Sequence, residues 1–189
     1  MYLTFDDGPV PGVTDVVLDI LKSFKAKATF FCIGDNVRKH PELFQRIVDE
    51  GHHVGNHTFH HLNGWKTESE AYIDDVEACH SLVGSVLFRP PYGRIGFQQI
   101  QELKKQYAII MWDVLSGDFD TTLQAQQCID HVKQHASDGS IVVFHDSEKA
   151  ADRVIPSLPA VLSHFAEAGY HFEALPIDPM MLPKGLHLS

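Results

Sequence analysis

The chain has 189 residues, of which 44% are hydrophobic and 21% charged, a composition typical of one soluble globular domain with a sizeable core. Its formal net charge of −10 argues against nucleic acid or an anionic membrane surface as a partner, and a neutral or cationic substrate fits the overall charge better. No apolar run approaches the roughly 20 residues that a membrane-spanning helix needs, and the sequence does not indicate an oligomeric state.

The first motif begins at Thr4, and no secretory signal precedes it. We therefore expect a cytoplasmic protein by default, and an extracytoplasmic one if the natural chain has residues upstream of Met1. The three cysteines are odd in number and lack metal-finger spacing, so we predict that they are reduced residues of the core.

Short apolar runs alternate with helical patterns along the chain. The predicted strands are Tyr2–Phe5, Ala28–Ile33, His53–Asn56, Leu87–Phe88, Tyr107–Trp112, Ile141–His145 and His171–Leu175. The predicted helices are Val13–Phe24, a helix from Pro41 to near Gly51, Thr67–Val83 with a capping box at its start, Phe97–Gln106, Thr122–Ala136 and Pro156–Ala168. Strands that alternate with helices predict a parallel α/β architecture, but periodicity does not distinguish an open sheet from a closed barrel.

The first strand ends in an acidic pair, Asp6 and Asp7, followed by a turn at Gly8. Adjacent residues of an extended strand point in opposite directions, but at a strand end where the chain turns both carboxylates can reach one cavity. The alternative is an acidic turn that caps the next helix, because Asp-Gly is common in turns.

Two histidines four residues apart, His57 and His61, follow the third predicted strand. This spacing would place both imidazoles on one face of a helical turn, a recurring way to present two ligands to a metal ion. With one carboxylate they would form three protein ligands with an open position for water, as metal-assisted hydrolysis requires. A second such pair, His131 and His135, has no acidic partner motif, and we interpret it as part of a solvated helix face.

Three further motifs carry polar residues at predicted strand ends. They are Arg89 before a stiff Pro-Pro-Tyr-Gly turn, the segment Trp112–Asp118, and the buried-looking strand that ends at His145. Each alone has an ordinary explanation, such as a surface ion pair for the arginine or a structural role for the histidine. Catalytic residues of α/β barrels cluster at the carboxyl ends of the strands, where all of these residues are predicted to lie.

In this order, the five motifs resemble those of the polysaccharide deacetylase family, the NodB-homology enzymes of carbohydrate esterase family 4. The resemblance runs from about residue 2 to about residue 175. It implies a distorted, incomplete (β/α) barrel of about seven parallel strands as a single catalytic domain, residues 1–175, with an irregular tail, residues 176–189, packed on it.

The resemblance also implies the reaction: a metal-dependent hydrolase that removes acetyl groups from N-acetylated sugars of a peptidoglycan- or chitin-like polysaccharide or oligosaccharide and releases acetate. Two alternatives stay open. The protein could act on another C–N bond, in a cyclic amide or imide, or on O-acetyl esters. It could also be a non-catalytic carbohydrate-binding relic, although intact motifs argue against decay.

The family pattern assigns roles to individual residues of this chain. It implies one divalent metal ion bound by Asp7, His57 and His61, with Zn²⁺ as the first expectation and Co²⁺, Ni²⁺ or Mn²⁺ as alternatives. The remaining implied roles are Asp6 as catalytic base, Arg89 as the residue that holds Asp6, the backbone N–H of Tyr92 as oxyanion donor, His145 as general acid, and Thr58 and Pro91 as supporting residues.

One loop departs from the family pattern. Where the family usually has Asp-x-x-Asp-Trp, this chain has Leu115-Ser116-Gly117-Asp118-Phe119. The first aspartate, which orients the acid histidine in the family, is therefore Leu115. We expect Asp113 or Asp118 to replace it, and the alternative is that solvent and backbone alone orient His145. The usual tryptophan is Phe119, which joins Trp65 and Trp112 as a candidate sugar-stacking surface, with core packing as the alternative.

Overall fold

A computed structural model describes residues 1–177 of the chain, and the later part of the predicted tail lies outside them. Seven parallel strands form one curled sheet in the order β5-β4-β3-β2-β1-β7-β6. The strands are β1 (Tyr2–Asp6), β2 (Ala28–Cys32), β3 (His53–Asn56), β4 (Leu87–Phe88), β5 (Ala108–Ile109), β6 (Val114–Leu115) and β7 (Ile141–His145).

Helices connect the strands and cover the sheet. They are α1 (Thr14–Ser23), α2 (Gly34–Lys39), α3 (Pro41–Asp49), α4 (Ser69–Val83), α5 (Phe97–Leu103), α6 (Ala125–His135) and α7 (Ala151–Glu167), with 3₁₀ turns at Gly64–Lys66 and Pro91–Gly93. This arrangement confirms the predicted incomplete (β/α) barrel.

The core is built on the central strands β1, β2 and β7, which are almost wholly buried. Phe5 stacks on Phe30 with ring centroids 5.0 Å apart, and on Phe144 at 6.0 Å. Helices cover the faces of parallel strands, so these strands are continuously apolar rather than alternating. The free cysteines Cys32, Cys79 and Cys128 are buried, in agreement with their predicted place in the core.

Three predicted elements differ from the structure. The segment His171–Leu175 is not a strand: it makes isolated backbone hydrogen bonds with Met1 and Lys27 instead of a continuous ladder, and Leu175 N donates to the side chain of Thr29. The predicted strand Tyr107–Trp112 is only the two-residue β5, after which the chain crosses to β6 at the opposite edge of the sheet. The predicted capping box is wrong, since Thr67 Oγ1 donates to Asn63 O and α4 begins at Ser69.

The helices also differ from the prediction: α5 ends at Leu103, three residues early, and α6 begins at Ala125, three residues late. The last helix begins at Ala151 and contains two prolines, although sequence reasoning started it at the first of them, Pro156. The short helix α2 was not predicted. Within residues 1–177, no helix is both long enough and apolar enough to cross a membrane.

The topology places the functional motifs together. Asp6 and His145 end the neighbouring strands β1 and β7 and are partners in their register. His57 directly follows β3, and Arg89 directly follows β4. Because all strands are parallel, these four residues meet along one rim of the sheet.

Candidate active site

A cleft of about 590 Å³ opens at the carboxyl ends of the strands. It brings together most of the residues that the sequence motifs indicated. Its lining includes Asp6, Asp7, His57, His61, Tyr92, Trp112, Leu115, Phe119 and His145, together with three cationic residues, Lys66, Arg94 and Lys149.

Asp7, His57 and His61 form a compact group at the floor of this cleft, with one potential ligand atom from each residue within 4.8 Å of the others. Asp7 Oδ1 lies 3.1 Å from His61 Nε2 and 3.7 Å from His57 Nε2. This oxygen is buried and makes no hydrogen bond within the described residues. A buried carboxylate oxygen that faces two imidazole nitrogens without a hydrogen bond suits a shared cation, so these residues fit a metal ion.

The surroundings of His57 and Asp7 favour the protonation states in which these side chains bind a metal ion, a neutral imidazole and an ionised carboxylate. Burial lowers the pKa of His57 to about 4, so its imidazole is neutral at neutral pH. Its Nδ1 lies 2.7 Å from the carbonyl oxygen of Arg89, which fixes the proton on Nδ1 and leaves the Nε2 lone pair for a metal. Burial opposes ionisation of Asp7, but the neighbouring imidazoles of His61, His57 and His145 outweigh it and lower the pKa of this carboxyl.

The histidines do not lie on a helical turn, so that part of the prediction is wrong. Residues 57–63 form an irregular loop in which Thr58 and His61 have left-handed backbones, with φ of 62° and 57°. Thr58 is fully buried, and its Oγ1 accepts a hydrogen bond from Leu62 N. The loop therefore presents both imidazoles to the cleft through a strained local conformation instead of through helical spacing.

Asp75 of α4 holds this loop and was missed by sequence reasoning. Its Oδ2 accepts hydrogen bonds from Phe59 N at 2.8 Å and His60 N at 2.9 Å, and its Oδ1 lies 2.5 Å from His60 Nδ1. Asp75 shares the buried face of α4 with Tyr72 and Cys79. A carboxylate on an otherwise apolar helix stripe was the signal that could have identified it.

Asp6 is held by Arg89, as the family pattern implied. Arg89 Nη1 donates to Asp6 Oδ1 at 2.7 Å and to Thr4 Oγ1 at 2.8 Å. The contact with the carboxylate is a single hydrogen bond, because Nε and Nη2 donate to the carbonyls of Ile110 and Met111. Arg89 is fully buried and packs over the Phe31 ring at 4.0 Å, so its position is fixed from several sides.

Asp118 is the carboxylate that contacts His145. Its Oδ1 lies 2.8 Å from His145 Nδ1, and its Oδ2 accepts a hydrogen bond from His145 N at 2.7 Å. Burial disfavours the charged imidazole, but the hydrogen bond and charge of Asp118, with the charges of Asp6 and Asp7, raise the pKa of His145 to about 9. His145 therefore carries its proton at neutral pH and keeps Nε2 as its second ring nitrogen.

Asp113 does not reach the site, which corrects its place among the candidate residues. Its Oδ2 accepts a hydrogen bond from Ile141 N, at the start of β7, whereas His145 ends that strand. The register of Val114 with Val142 explains this, because it places Asp113 before the strand pair and Asp118 beyond its end. Leu115 lines the cleft as an exposed apolar side chain.

The turn after Arg89, residues 91–93, lies beside the Asp-His-His group. Tyr92 has a left-handed backbone with φ of 61°, and its ring centroid is 4.6 Å from that of His61. Pro91 is buried, while Tyr92 is largely exposed. Phe119 packs edge-on against His145 with centroids 5.3 Å apart, so it lines the cleft beside this histidine.

Asp146 supports the first motif from the neighbouring strand. Its carboxylate accepts hydrogen bonds from Gly8 N at 3.0 Å and Thr14 Oγ1 at 2.6 Å. Burial raises the pKa of this carboxyl to about 7, against the effect of those hydrogen bonds. A Cβ on Gly8 would lie 1.9 Å from Asp146 Oδ2, so only glycine fits here. The sequence motifs did not indicate this contact.

Comparison with known proteins supports the family that the sequence motifs indicated. Residues 1–108 match the family model described as polysaccharide deacetylase. A peptidoglycan-N-acetylglucosamine deacetylase of Bacillus cereus is 33% identical over 177 residues, which cover 90% of this chain and 83% of that protein. The peptidoglycan-N-acetylmuramic acid deacetylase PdaA of Bacillus subtilis is 31% identical, covering 100% of this chain and 73% of the relative.

A solved structure shows the same fold. The crystal structure of a peptidoglycan N-acetylglucosamine deacetylase in complex with a naphthalenyl-N-oxidanyl-benzamide superposes with a TM-score of 0.84 at 31% identity, covering 96% of this chain and 86% of the other. These similarities confirm the prediction of a deacetylase, a hydrolase of non-peptide C–N bonds from a metal-dependent family. The chain belongs to the polysaccharide deacetylase family.

Proposed function

We propose that this protein removes the N-acetyl group from amino sugars of a peptidoglycan-type glycan, with Zn²⁺ held by Asp7, His57 and His61. The observation that carries the proposal is the convergence of three units in one cleft. They are the Asp6–Arg89 pair, the Asp-His-His group and the His145–Asp118 pair.

The donor set favours zinc among divalent ions. Two imidazoles and one carboxylate, with no thiolate, form the three-protein-ligand arrangement of catalytic zinc sites. When bound there, the ion would polarise the acetyl carbonyl and lower the pKa of a water molecule towards neutrality. His57 is prepared for this role, since its Nδ1 is engaged by the Arg89 carbonyl.

Asp6 supplies the base in the proposed reaction. Its Oδ1 is held by Arg89, which keeps the carboxylate oriented at the end of β1. Asp6 takes a proton from the attacking water while the water oxygen forms a bond to the acetyl carbon. The backbone N–H of Tyr92 is the proposed donor to the developing oxyanion, and one such donor contributes about 3 kcal/mol in other hydrolases.

His145 supplies the acid. Its raised pKa keeps the imidazole protonated, and Asp118 occupies Nδ1. The proton on Nε2 passes to the sugar nitrogen as the C–N bond breaks, which turns a poor amide leaving group into a free amine. The products are acetic acid, which ionises to acetate, and the amine of the de-N-acetylated sugar; the proton held by Asp6 then returns to His145 through solvent, so atoms and charge balance.

The experiment that tests this proposal measures acetate release by the metal-loaded protein, and ring opening where the substrate is a cyclic imide. The substrates are N-acetylglucosamine oligomers, peptidoglycan glycan strands, acetylxylan and a cyclic imide. We expect acetate from the N-acetylated glycans, loss of activity with a chelator, and recovery when Zn²⁺ is restored. Hydrolysis of only the ester or the imide would contradict the proposal. Release of acetate from none of them, with glycan binding retained, would identify a binding relic.

A further inference from the structure

One corner of the cleft is positively charged although the chain as a whole carries a net charge of −10. Lys66 and Arg94 both line the cleft, and the exposed ring of Trp65 lies beside them. We call these three residues the cationic corner. A cleft with a local charge opposite to that of the whole protein attracts ligands that the net charge would not predict.

The two cations have no acidic partner in the described part of the chain. No carboxylate oxygen of residues 1–177 lies within 4.0 Å of the Lys66 or Arg94 side chain. Among the Lys and Arg side chains of residues 1–177, those that do form ion pairs are Arg38, Lys39, Arg46, Arg89 and Lys105. Other exposed lysines also lack an acidic partner, so the feature that distinguishes Lys66 and Arg94 is that both line the cleft, in a chain where acidic residues outnumber Lys and Arg by 25 to 15.

The backbone that carries the corner is fixed by hydrogen bonds between two loops. Gly64 N donates to Arg94 O at 3.1 Å, and Trp65 Nε1 donates to Ile95 O at 3.1 Å. Buried Gln99 adds a bond from its Nε2 to Gly64 O at 2.9 Å. A Cβ at Gly64 would come within 2.6 Å of Arg94 O, so the loops approach too closely for any other residue there.

The side chains are also arranged before any ligand arrives. Arg94 lies over the Trp65 ring, with Cζ 4.7 Å from the ring centroid. Stacking restricts the planar guanidinium and leaves its N–H donors available at the ring edge. Trp65 remains 65% exposed, so much of its ring is free to contact a sugar. An apolar ring surface beside a guanidinium and an ammonium suits a sugar that carries a carboxylate.

A third cation, Lys149, lines the cleft beyond β7, on the other side of the metal ligands. Lys149 also acts on a carboxyl group of the chain, Asp120. Hydrogen bonds from Thr122 lower the pKa of Asp120 most, and the charges of Lys149 and Arg153 lower it further. Lys149 therefore adds to the positive potential of the cleft, but it is not the specific feature that defines a subsite.

We propose that the cationic corner is a subsite for a carboxylate borne by the glycan next to the reacting N-acetyl group. This proposal rests on the proposed function, because the corner lines the same cleft. Two sources share this chemistry: the lactyl ether carboxylate of an N-acetylmuramic unit, and a carboxylate of a peptide attached to that unit. In either case the protein prefers an anionic glycan to a neutral one.

The test compares matched glycans with the metal-loaded protein. Peptide-free tetramers of alternating N-acetylglucosamine and N-acetylmuramic acid are assayed beside the same tetramers with their carboxylates converted to methyl amides. Peptide-bearing tetramers form a third arm. We expect higher kcat/KM for the free carboxylate, expressed mainly in KM, because a contact made equally in ground and transition states changes KM. A preference confined to the peptide-bearing arm would assign the carboxylate to the peptide.

The variants Arg94→Gln and Lys66→Gln should each lower the ratio of kcat/KM for the free carboxylate over the amide by about fivefold, as expected for a lost charge-assisted contact. Arg94→Lys should retain part of the ratio. Lys104→Gln, a change at an exposed lysine after α5, is the control and should keep the full ratio. Raising the ionic strength should reduce the ratio in the unmodified protein more than in Arg94→Gln, which retains only Lys66 of the two cations.

Two results would overturn the proposal: a ratio of one in the unmodified protein, or a ratio that Arg94→Gln and Lys66→Gln leave unchanged. If no glycan releases acetate, the proposed function fails separately. The corner is then tested by calorimetric titration of the protein with the free-carboxylate and amide tetramers. Equal affinity for the two would reject the subsite.

Discussion

The carboxylate of Asp118 contacts His145 at two points, its imidazole Nδ1 at 2.8 Å and its backbone N–H at 2.7 Å. Asp118 is fully buried, and its own carbonyl accepts a hydrogen bond from Arg153 Nε. His145, the proposed acid, is thus oriented by a residue three positions after Leu115, and it is Leu115 that occupies the place of the family's usual aspartate. His145 therefore has a carboxylate partner, Asp118, although position 115 is a leucine.

Replacing Asp118 with Asn should slow the reaction and narrow its pH range. A general acid works while it holds its proton, so activity that depends on His145 is present below its raised pKa of about 9 and is lost as the pH rises through that value. Asp118→Asn removes the main contribution that raises this pKa. We expect the alkaline limb of the kcat profile to move to lower pH, with kcat reduced about tenfold.

Two further variants control that experiment. Asp113→Asn alters an exposed carboxylate at the other end of β7 and should leave the alkaline limb in place. Adding Leu115→Asp to Asp118→Asn should recover part of the lost rate, because Leu115 lines the cleft. An unchanged profile in Asp118→Asn would show that the carboxylate does not tune the acid.

Metal binding should depend on His61 and not on the other histidine pair of the chain. His61→Ala should lower the affinity for Zn²⁺ by at least about tenfold, since it removes one of three protein ligands. The matched control is His131→Ala, because His131 and His135 have the same spacing on α6. Metal analysis and the Zn²⁺-dependent rise in unfolding temperature measure the effect. Equal losses in both variants would reject the assigned group.

Asp6→Asn should separate catalysis from metal binding. The amide keeps the shape of the side chain and can still accept the hydrogen bond from Arg89, but it does not take a proton from water. We expect normal metal content with kcat reduced by about 10²- to 10⁴-fold, and a comparable pattern for His145→Ala. Near-normal turnover of metal-loaded Asp6→Asn would exclude Asp6 as the base.

Asp75→Asn should weaken metal binding from a distance. Its carboxylate holds the backbone of the loop that carries both histidine ligands, and the amide cannot accept all of the same bonds. Loss of such supporting contacts costs about tenfold or more in metal affinity in other sites. Asp74→Asn, at the exposed neighbour on α4, should have no effect. Equal Zn²⁺ affinities of the two variants would contradict a positioning role for Asp75.

The sequence predicted much of the site because each motif follows a strand, and parallel strands bring their carboxyl ends together. The apolar stripe of α4 could have marked Asp75 as buried, but the loop that it holds, like the contacts of Asp146, depends on the packing of distant parts of the chain. The choice between Asp113 and Asp118 required the register of β6 against β7, which the sequence does not encode locally. The left-handed backbones of Thr58 and His61 were likewise invisible in the spacing of the two histidines.

The pairing of β1 with β7 has a consequence for how the chain matures. All three proposed metal ligands lie in the first third of the sequence, whereas the strand that carries His145 is synthesised much later. In a nascent chain, the three proposed metal ligands are therefore synthesised before His145, the proposed acid. Until β7 arrives, β1 presents an open, apolar edge, and such an edge favours pairing with other chains. When β7 pairs with β1, it covers this edge and also completes the proposed catalytic set.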